Sequence, residues 1–209
     1  MAANSLILAL VITVVSLVIS FPIAWVISKF TKLRDFLILL IIMPMWINLL
    51  LKTYAFIGLL SRNGSINDLL ATLGFGRHQF LFTDTAFVLV AVYTQLPFMI
   101  LPIYNSITEI NYSLINASYD LGASKFQTFR RVIIPLTLPG IKSGIQAIFI
   151  PSLSLFMITR LIGGNRVITL GTAIEEHFLS TMNWGMGSTI GVILIMAMIM
   201  IMIITKDAK

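Results

Sequence analysis

Long uncharged runs along the chain are separated by short clusters of charge. Ala2 to Ser28 holds no charged residue, and neither do Phe36 to Leu51, Thr85 to Thr108, Ser143 to Thr159 or Trp184 to Thr205. A hydrocarbon core of about 30 Å needs roughly 20 residues of helix. The second run reaches that length only if it continues through Thr53–Leu60 with Lys52 snorkelling to the interface. The pattern therefore predicts an all-α fold, a polytopic transmembrane helical bundle with five spans. No repeat, low-complexity tract or flexible linker divides it, so residues 1–209 read as a single integral-membrane domain.

Three stretches outside the spans are substantial: Ser61–Asp84, Glu109–Lys142 and Arg160–Asn183, the last with Gly163-Gly164-Asn165 as a turn signal. Prolines Pro22, Pro44, Pro97, Pro102 and Pro151 punctuate the spans. Each removes a backbone donor, which a membrane tolerates where neighbouring protein or cavity water satisfies the freed carbonyl. Two readings stand: the ordinary enrichment of Pro in membrane helices, or a bend of the third span around a central pathway at Pro97 and Pro102. Polar Tyr93, Thr94 and Gln95 beside that bend favour the second.

Composition agrees with the pattern. With 58% hydrophobic residues, 11% charged and no cysteine, the chain is neither a soluble enzyme, a disordered segment nor a disulfide-stapled domain. Its net charge of +6 is explained by topology. Lys29, Lys32, Arg34, Lys125, Arg130, Arg131, Lys142, Lys206 and Lys209 fall on one side, where four acidic residues bring the net to +5. Lys52, Arg62, Arg77, Arg160 and Arg166 fall on the other, where four acidic residues leave +1. The positive-inside rule makes the first side cytoplasmic, with the lipid bilayer as the partner that orders the charges and no nucleic acid implied. An odd number of spans then puts the N-terminus outside, and the reading expects a preceding span absent from this chain.

No span carries a charge near its middle, where proton-coupled transporters and voltage sensors place ionisable groups. Both histidines lie outside the spans, and His177 beside Glu175 and Glu176 reads as solvated surface rather than a metal site. The chain has no phosphate-loop motif and no nucleophile triad, so no catalytic residue and no metal ligand is assigned. Energy for any transport must come from elsewhere.

The informative stretch begins at Asn111: NYSLINASYDLGASKFQTFRRVIIPLTLPG. Ser113 is placed to cap a helix in which Leu114, Ala117 or Ser118, and Leu121 recur at helical spacing. Gly122 supplies the left-handed residue that ends it. Ser124 and Gln127 have capping-box spacing for a second helix, whose Phe126, Phe129 and Ile133 share a face. Pro135 and Pro139 are expected to stop that helix and return the chain to the membrane at Gly140. Asp120 sits in the last turn of the first helix, where the macrodipole disfavours an anion. Either Arg130 or Arg131 pairs with it, or a specific partner does. The element is a surface anchor or a docking device.

The run Ala117-x-x-Asp120-x-Gly122-Ala123, followed by Ile134-Pro135-Leu136 and Pro139-Gly140, resembles the EAA loop of bacterial ABC-importer permeases. Pro44-Met45-Trp46-Ile47-Asn48, Leu96-Pro97-Phe98-Met99 and Leu161-Ile162-Gly163-Gly164 are similar to the spermidine/putrescine permease branch, whose members usually have six spans. The resemblance implies a multi-pass protein of the bacterial cytoplasmic membrane with residues 109–142 as a cytoplasmic coupling helix–turn–helix. Its partners would be an ATP-binding subunit, a homologous second permease and an extracytoplasmic substrate-binding protein. No cofactor is expected on this chain, since ATP and Mg belong to the partner subunit. Coupling would run through Leu114, Asn116, Ala117, Ser118, Asp120, Leu121, Gly122, Ala123, Pro135, Pro139 and Gly140. The glutamate that names the loop is Asn116 here, and the second alanine is Ser118.

A polyamine would favour aromatic faces and carboxylates along its route, which makes Trp46, Tyr93, Gln95, Phe98 and Glu175 the candidate pathway. Tyr54 and Trp184 read instead as interfacial belt residues. The alternatives are a permease for another small solute, such as a metal-anion or a phosphonate, and a non-transporting membrane scaffold.

Overall fold

The computed structural model describes residues 2–30, 32–164 and 167–205. Asn165 of the expected turn and the basic residues Arg166, Lys206 and Lys209 lie outside them. Among the described residues the only regular structure is helical. In chain order the helices are α1 (Ala2–Lys29), α2 (Arg34–Ile42), α3 (Leu49–Leu60), α4 (Ser65–Thr72), α5 (Asp84–Thr108) and α6 (Tyr112–Asp120). They continue with α7 (Lys125–Thr128), α8 (Ile134–Ser152), α9 (Phe156–Ile162), α10 (Leu170–Glu175) and α11 (Trp184–Thr205).

Helix α5 is the axis of the bundle. It runs unbroken through Pro97 and Pro102 and buries Phe87, Val90, Ala91, Met99, Ile100 and Ile103. Against it lie α1 and α8, which also touch each other. On α1 the buried positions are Ser5, Ala9, Ile12, Thr13, Ser16, Ser20, Ala24 and Ile27. They are spaced three or four apart and are mostly small, so the backbones approach closely, as membrane helices require where lipid supplies no hydrophobic drive. On α8 the contact is made by Gly140 and Gly144. A side chain at Gly140 would collide with the Pro102 carbonyl and Ser106, and one at Gly144 would lie 2.6 Å from the Met99 sulfur. The outer surfaces of α1 and α11 expose Val14, Val18, Ile193, Ile195 and Ile199, as lipid-facing helices do.

Two of the five expected spans change shape. The second is broken: α2 and the 3₁₀ turn Met43–Trp46 meet the α3–α4 segment at 95°. Pro44 opens the 3₁₀ turn, Ile47 is extended, and Asn48 restarts the helix by accepting a hydrogen bond from the Leu50 N–H at 2.8 Å. The fourth span is the helix Lys125–Ser152, not Ser143–Thr159. Neither Pro135 nor Pro139 stops it. A proline ring clashes with the carbonyl four residues earlier, and the wide π turn Phe129–Ile133 directly before Pro135 shifts the ladder so that the ring fits. Helices α1, α5 and Lys125–Ser152 are long and apolar enough to cross a membrane, the broken pair makes a fourth candidate, and α11 is a further apolar helix.

The stretch Arg160–Asn183, expected outside the spans, has helical structure of its own. It is a folded hairpin that buries Ile162, Val167, Thr169 and Ala173. The Leu170 N–H donates to Ser5 Oγ at 2.8 Å, and the Ile162 carbonyl accepts from the Phe82 N–H at 2.8 Å, keying the hairpin to α1 and to the start of α5.

Candidate functional site

The helix–turn–helix exists and is closed by its own backbone. Asn111, not Ser113, is the cap of α6: its side chain sits two residues before the Ser113 N–H and accepts from it at 3.0 Å. At the other end Gly122 has φ +80°, its N–H donates to the Tyr119 carbonyl at 2.8 Å, and the Ala123 N–H reaches the Ser118 carbonyl at 3.0 Å. That pair of bonds is the Schellman motif, and it needs the left-handed residue that Gly supplies. Ser124 and Gln127 form the reciprocal capping box at the start of α7.

The two helices are joined by Ser118 Oγ and the fully buried Thr128 Oγ1, 2.8 Å apart. Phe129 then packs edge-on against Phe21 and Trp25 of α1, with centroids at 5.6 and 6.2 Å, and Ile133 is buried. Phe126 does not share that face and is 70% exposed, because α7 turns Thr128 inward to meet Ser118.

Nothing on α6 itself is buried. Leu114, Asn116, Ala117, Asp120 and Gly122 are exposed, and Leu121 is 88% exposed. Asp120 makes no ion pair among the described residues, so the expected alternative of an Arg130 or Arg131 partner is not formed. Ser118 faces inward and Ala123 is half-buried. Pro135, Pro139 and Gly140 lie along the span helix instead, and Gly140 is a packing residue against α5.

The pathway candidates separate into three places. Trp46, Gln95 and Phe98 line one cavity of about 400 Å³ at the break in the second span, together with Asn48, Lys52 and Thr94. Trp46 is 79% exposed at its rim, whereas Gln95 is buried and donates to Ser152 Oγ at 2.6 Å. Tyr93 is elsewhere: it meets Phe56 edge-on at 4.9 Å and lines an apolar groove with Leu8 and Val11 of α1. Two residues along a helix turn the side chain by about 200°, which puts Tyr93 and Gln95 on opposed faces.

Glu175 lies in the outer hairpin, 2.9 Å from Arg160 Nη1, with its side chain 15% exposed. Its Oε2 is buried and has no hydrogen-bond partner among the described residues. The expected solvated surface around His177 is thus only partly so: the Glu175 carboxylate is taken inward by Arg160. Among the described residues no three His, Asp or Glu side chains converge in a way that could hold a metal ion. Sequence reasoning missed Lys52 as a cavity residue and Arg160 as the partner of Glu175. It also passed over the Gly140-x-x-x-Gly144 spacing, which was visible as a helix-packing signal.

Comparison with known proteins adds to this geometry. The family model described as "Binding-protein-dependent transport system inner membrane component" matches residues 1–206. The chain is 38% identical over 204 residues to the spermidine/putrescine transport system permease protein PotB of Salmonella typhimurium, covering 96% of this chain and 71% of that protein. It is 38% identical over 198 residues to PotB of Escherichia coli K12, covering 93% and 72%. In fold it is similar to a chain of a bacterial alginate ABC transporter solved in complex with an alginate pentasaccharide-bound periplasmic protein. That match has a TM-score of 0.83 at 17% identity, over 98% of this chain and 75% of the other.

Proposed function

The chain belongs to the family of binding-protein-dependent transport system inner membrane components, and we propose that it is a permease subunit of an ATP-driven importer of polyamines. As a member it is a multi-pass protein of the inner membrane, a transport permease rather than an enzyme. In the proposed assembly it pairs with a second permease, two ATP-binding subunits carry ATP and Mg, and an extracytoplasmic binding protein delivers the substrate. The relatives named for spermidine and putrescine support the substrate class.

One observation carries the coupling reading: α6 has its backbone capped locally at both ends and, apart from Ser118, its side chains are left largely exposed. Leu121, Leu114 and the unpaired Asp120 offer an apolar ridge with one charge, the form that helix-in-groove recognition requires. The helix would sit in a groove of the ATP-binding subunit on the cytoplasmic side, with Asn111–Gly122 as the docking unit. When two ATP-binding subunits close on each other, each would carry its seated α6 with it, and the spans would pivot to open the cavity to alternate sides.

The test is to reconstitute the importer with its binding protein and spermidine and to measure ATP hydrolysis with uptake. Gly122→Pro removes a bonded N–H and forbids φ +80°. It should leave membrane insertion intact and uncouple hydrolysis from uptake. Unchanged uptake by that variant, and by Leu121→Asp, would overturn the coupling role.

A second reading concerns the solute. The cavity at the broken span is lined by Lys52 and, among the described residues, by no carboxylate, which favours a neutral or anionic solute over a polycation as far as this chain's share of the wall decides. Uptake of spermidine unaffected by Lys52→Gln, with the carboxylates coming from the second permease, keeps the polyamine assignment. A gain in spermidine affinity together with loss of an anionic solute would replace it.

A further inference from the structure

A separate cleft lies where three spans end on the basic side. It has a volume of about 510 Å³ and separates the last turn of α1 from α6. That size falls within the range of about 300–1,000 Å³ typical of small-molecule sites. Its floor is apolar, formed by Ile107, Phe129 and Ile133, and Lys29, Arg34 and Lys125 line it as well. Among the described residues no carboxylate lines it.

One of these cations is held in place. The ammonium of Lys29 lies 4.7 Å from the centre of the Trp25 ring, and that ring is itself packed on Phe129. Lys125 opens α7, whose first turn is set by the capping box before it, with its side chain exposed. Arg34 has only the adjacent Asp35, at 3.4 Å and well exposed, which is a weak hold in water.

Three cations lining one cleft with an apolar floor are complementary to a group that is anionic at one end and hydrocarbon at the other. The cleft opens at the ends of α1, α5 and Lys125–Ser152, which the proposed orientation puts at the depth of the lipid headgroups. Trp25 there is the residue type that favours that layer. We infer that the cleft binds the phosphate of an anionic phospholipid. Lys29, Arg34 and Lys125 would be its partners, and the glycerol and first acyl carbons would lie over Ile107 and Phe129. Basic pockets between span ends are where such headgroups lodge. The bound lipid would bridge α1 to α6 and brace the docking helix. The inference rests on the proposed orientation, with this side facing the cytoplasmic leaflet.

The test uses the assembled importer, stripped of lipid in detergent and offered phosphatidylglycerol and phosphatidylcholine in defined mixtures, with bound lipid counted by native mass spectrometry. The wild type should retain phosphatidylglycerol selectively. Lys29→Gln with Lys125→Gln should lower that retention on the order of tenfold, and Lys29→Arg with Lys125→Arg should keep it. Arg130→Gln with Arg131→Gln makes the same change of charge on the same loop outside the cleft, and should also keep it. Equal retention by the Lys→Gln pair would overturn the site. So would an equal drop in the Arg130/Arg131 pair, which signals diffuse attraction, or displacement by millimolar inorganic phosphate, which signals a soluble-anion site. Lipid counting involves no turnover, so an importer whose α6 does not transmit ATP closure still passes or fails this test independently.

Discussion

The two hairpins at opposite ends of the bundle solve the same problem in opposite ways. The α6–α7 hairpin satisfies its backbone with short-range devices: an Asn cap, a Schellman turn and a capping box. Its side chains are left over, and Leu121, Phe126 and Asp120 face outward. The α9–α10 hairpin spends its groups on the bundle. Its charges pair as Arg160–Glu175, its backbone bonds to Ser5 and Phe82, and its apolar residues Ile162, Val167 and Ala173 are buried. A segment self-sufficient in hydrogen bonds and poor in burial is equipped to be handled by something else, whereas one keyed into the core is equipped to stay.

The largest expected effect comes from removing the self-sufficiency. Gly122→Pro should cost about 3 kcal/mol locally and abolish coupled uptake, measured beside ATPase activity, with the spans still inserted. Next is Leu121→Asp, which puts a charge in the centre of the exposed ridge. It should weaken binding of the ATP-binding subunit by about 2 kcal/mol, read by titration of that subunit, and leave the melting temperature unchanged.

On the other hairpin the signs reverse. Arg160→Met leaves the mostly buried Glu175 carboxylate unpaired, and because Arg160 is half exposed the loss should be about 1–2 kcal/mol of stability. Thermal unfolding of the reconstituted complex should show it, and Arg160→Met with Glu175→Leu should recover it. The smallest effect is Ser118→Ala, which strands the buried Thr128 hydroxyl at about 1 kcal/mol. It should loosen α6 and be visible as faster amide exchange at Leu121 and Gly122. If Arg160→Met uncoupled hydrolysis while Leu121→Asp did not, the two hairpins would have exchanged roles.

Local chemistry was legible in the sequence and tertiary chemistry was not. The Gly122 turn and the Ser124–Gln127 box could be read because their partners lie within six residues. The α6 cap was misplaced by two positions because Asn111 and Ser113 are both good caps and only backbone geometry chooses between them. Pro135 and Pro139 read as stops because a π turn leaves no composition signal. The break at Ile47–Asn48 was announced by Pro44 and Asn48 but hidden under an apolar run. Arg160 and Glu175 are fifteen residues apart with a turn between, so no periodic rule joins them. The separation of Tyr93 from Gln95 needed only the helical phase and was overlooked.

The 28-residue helix Lys125–Ser152 has a last consequence. At 1.5 Å per residue it is a rod about 42 Å long, gripped near its lower tip by Ser118 through Thr128 and at its upper tip by Gln95 through Ser152. A tug on α6 need not travel through a relay of side chains to reach the wall of the solute cavity. On the proposed coupling it would arrive as the swing of one lever, with the π turn at Phe129–Ile133 as a compliant joint near its lower end, so a substitution that stiffens or straightens that joint should alter the stroke rather than the grip.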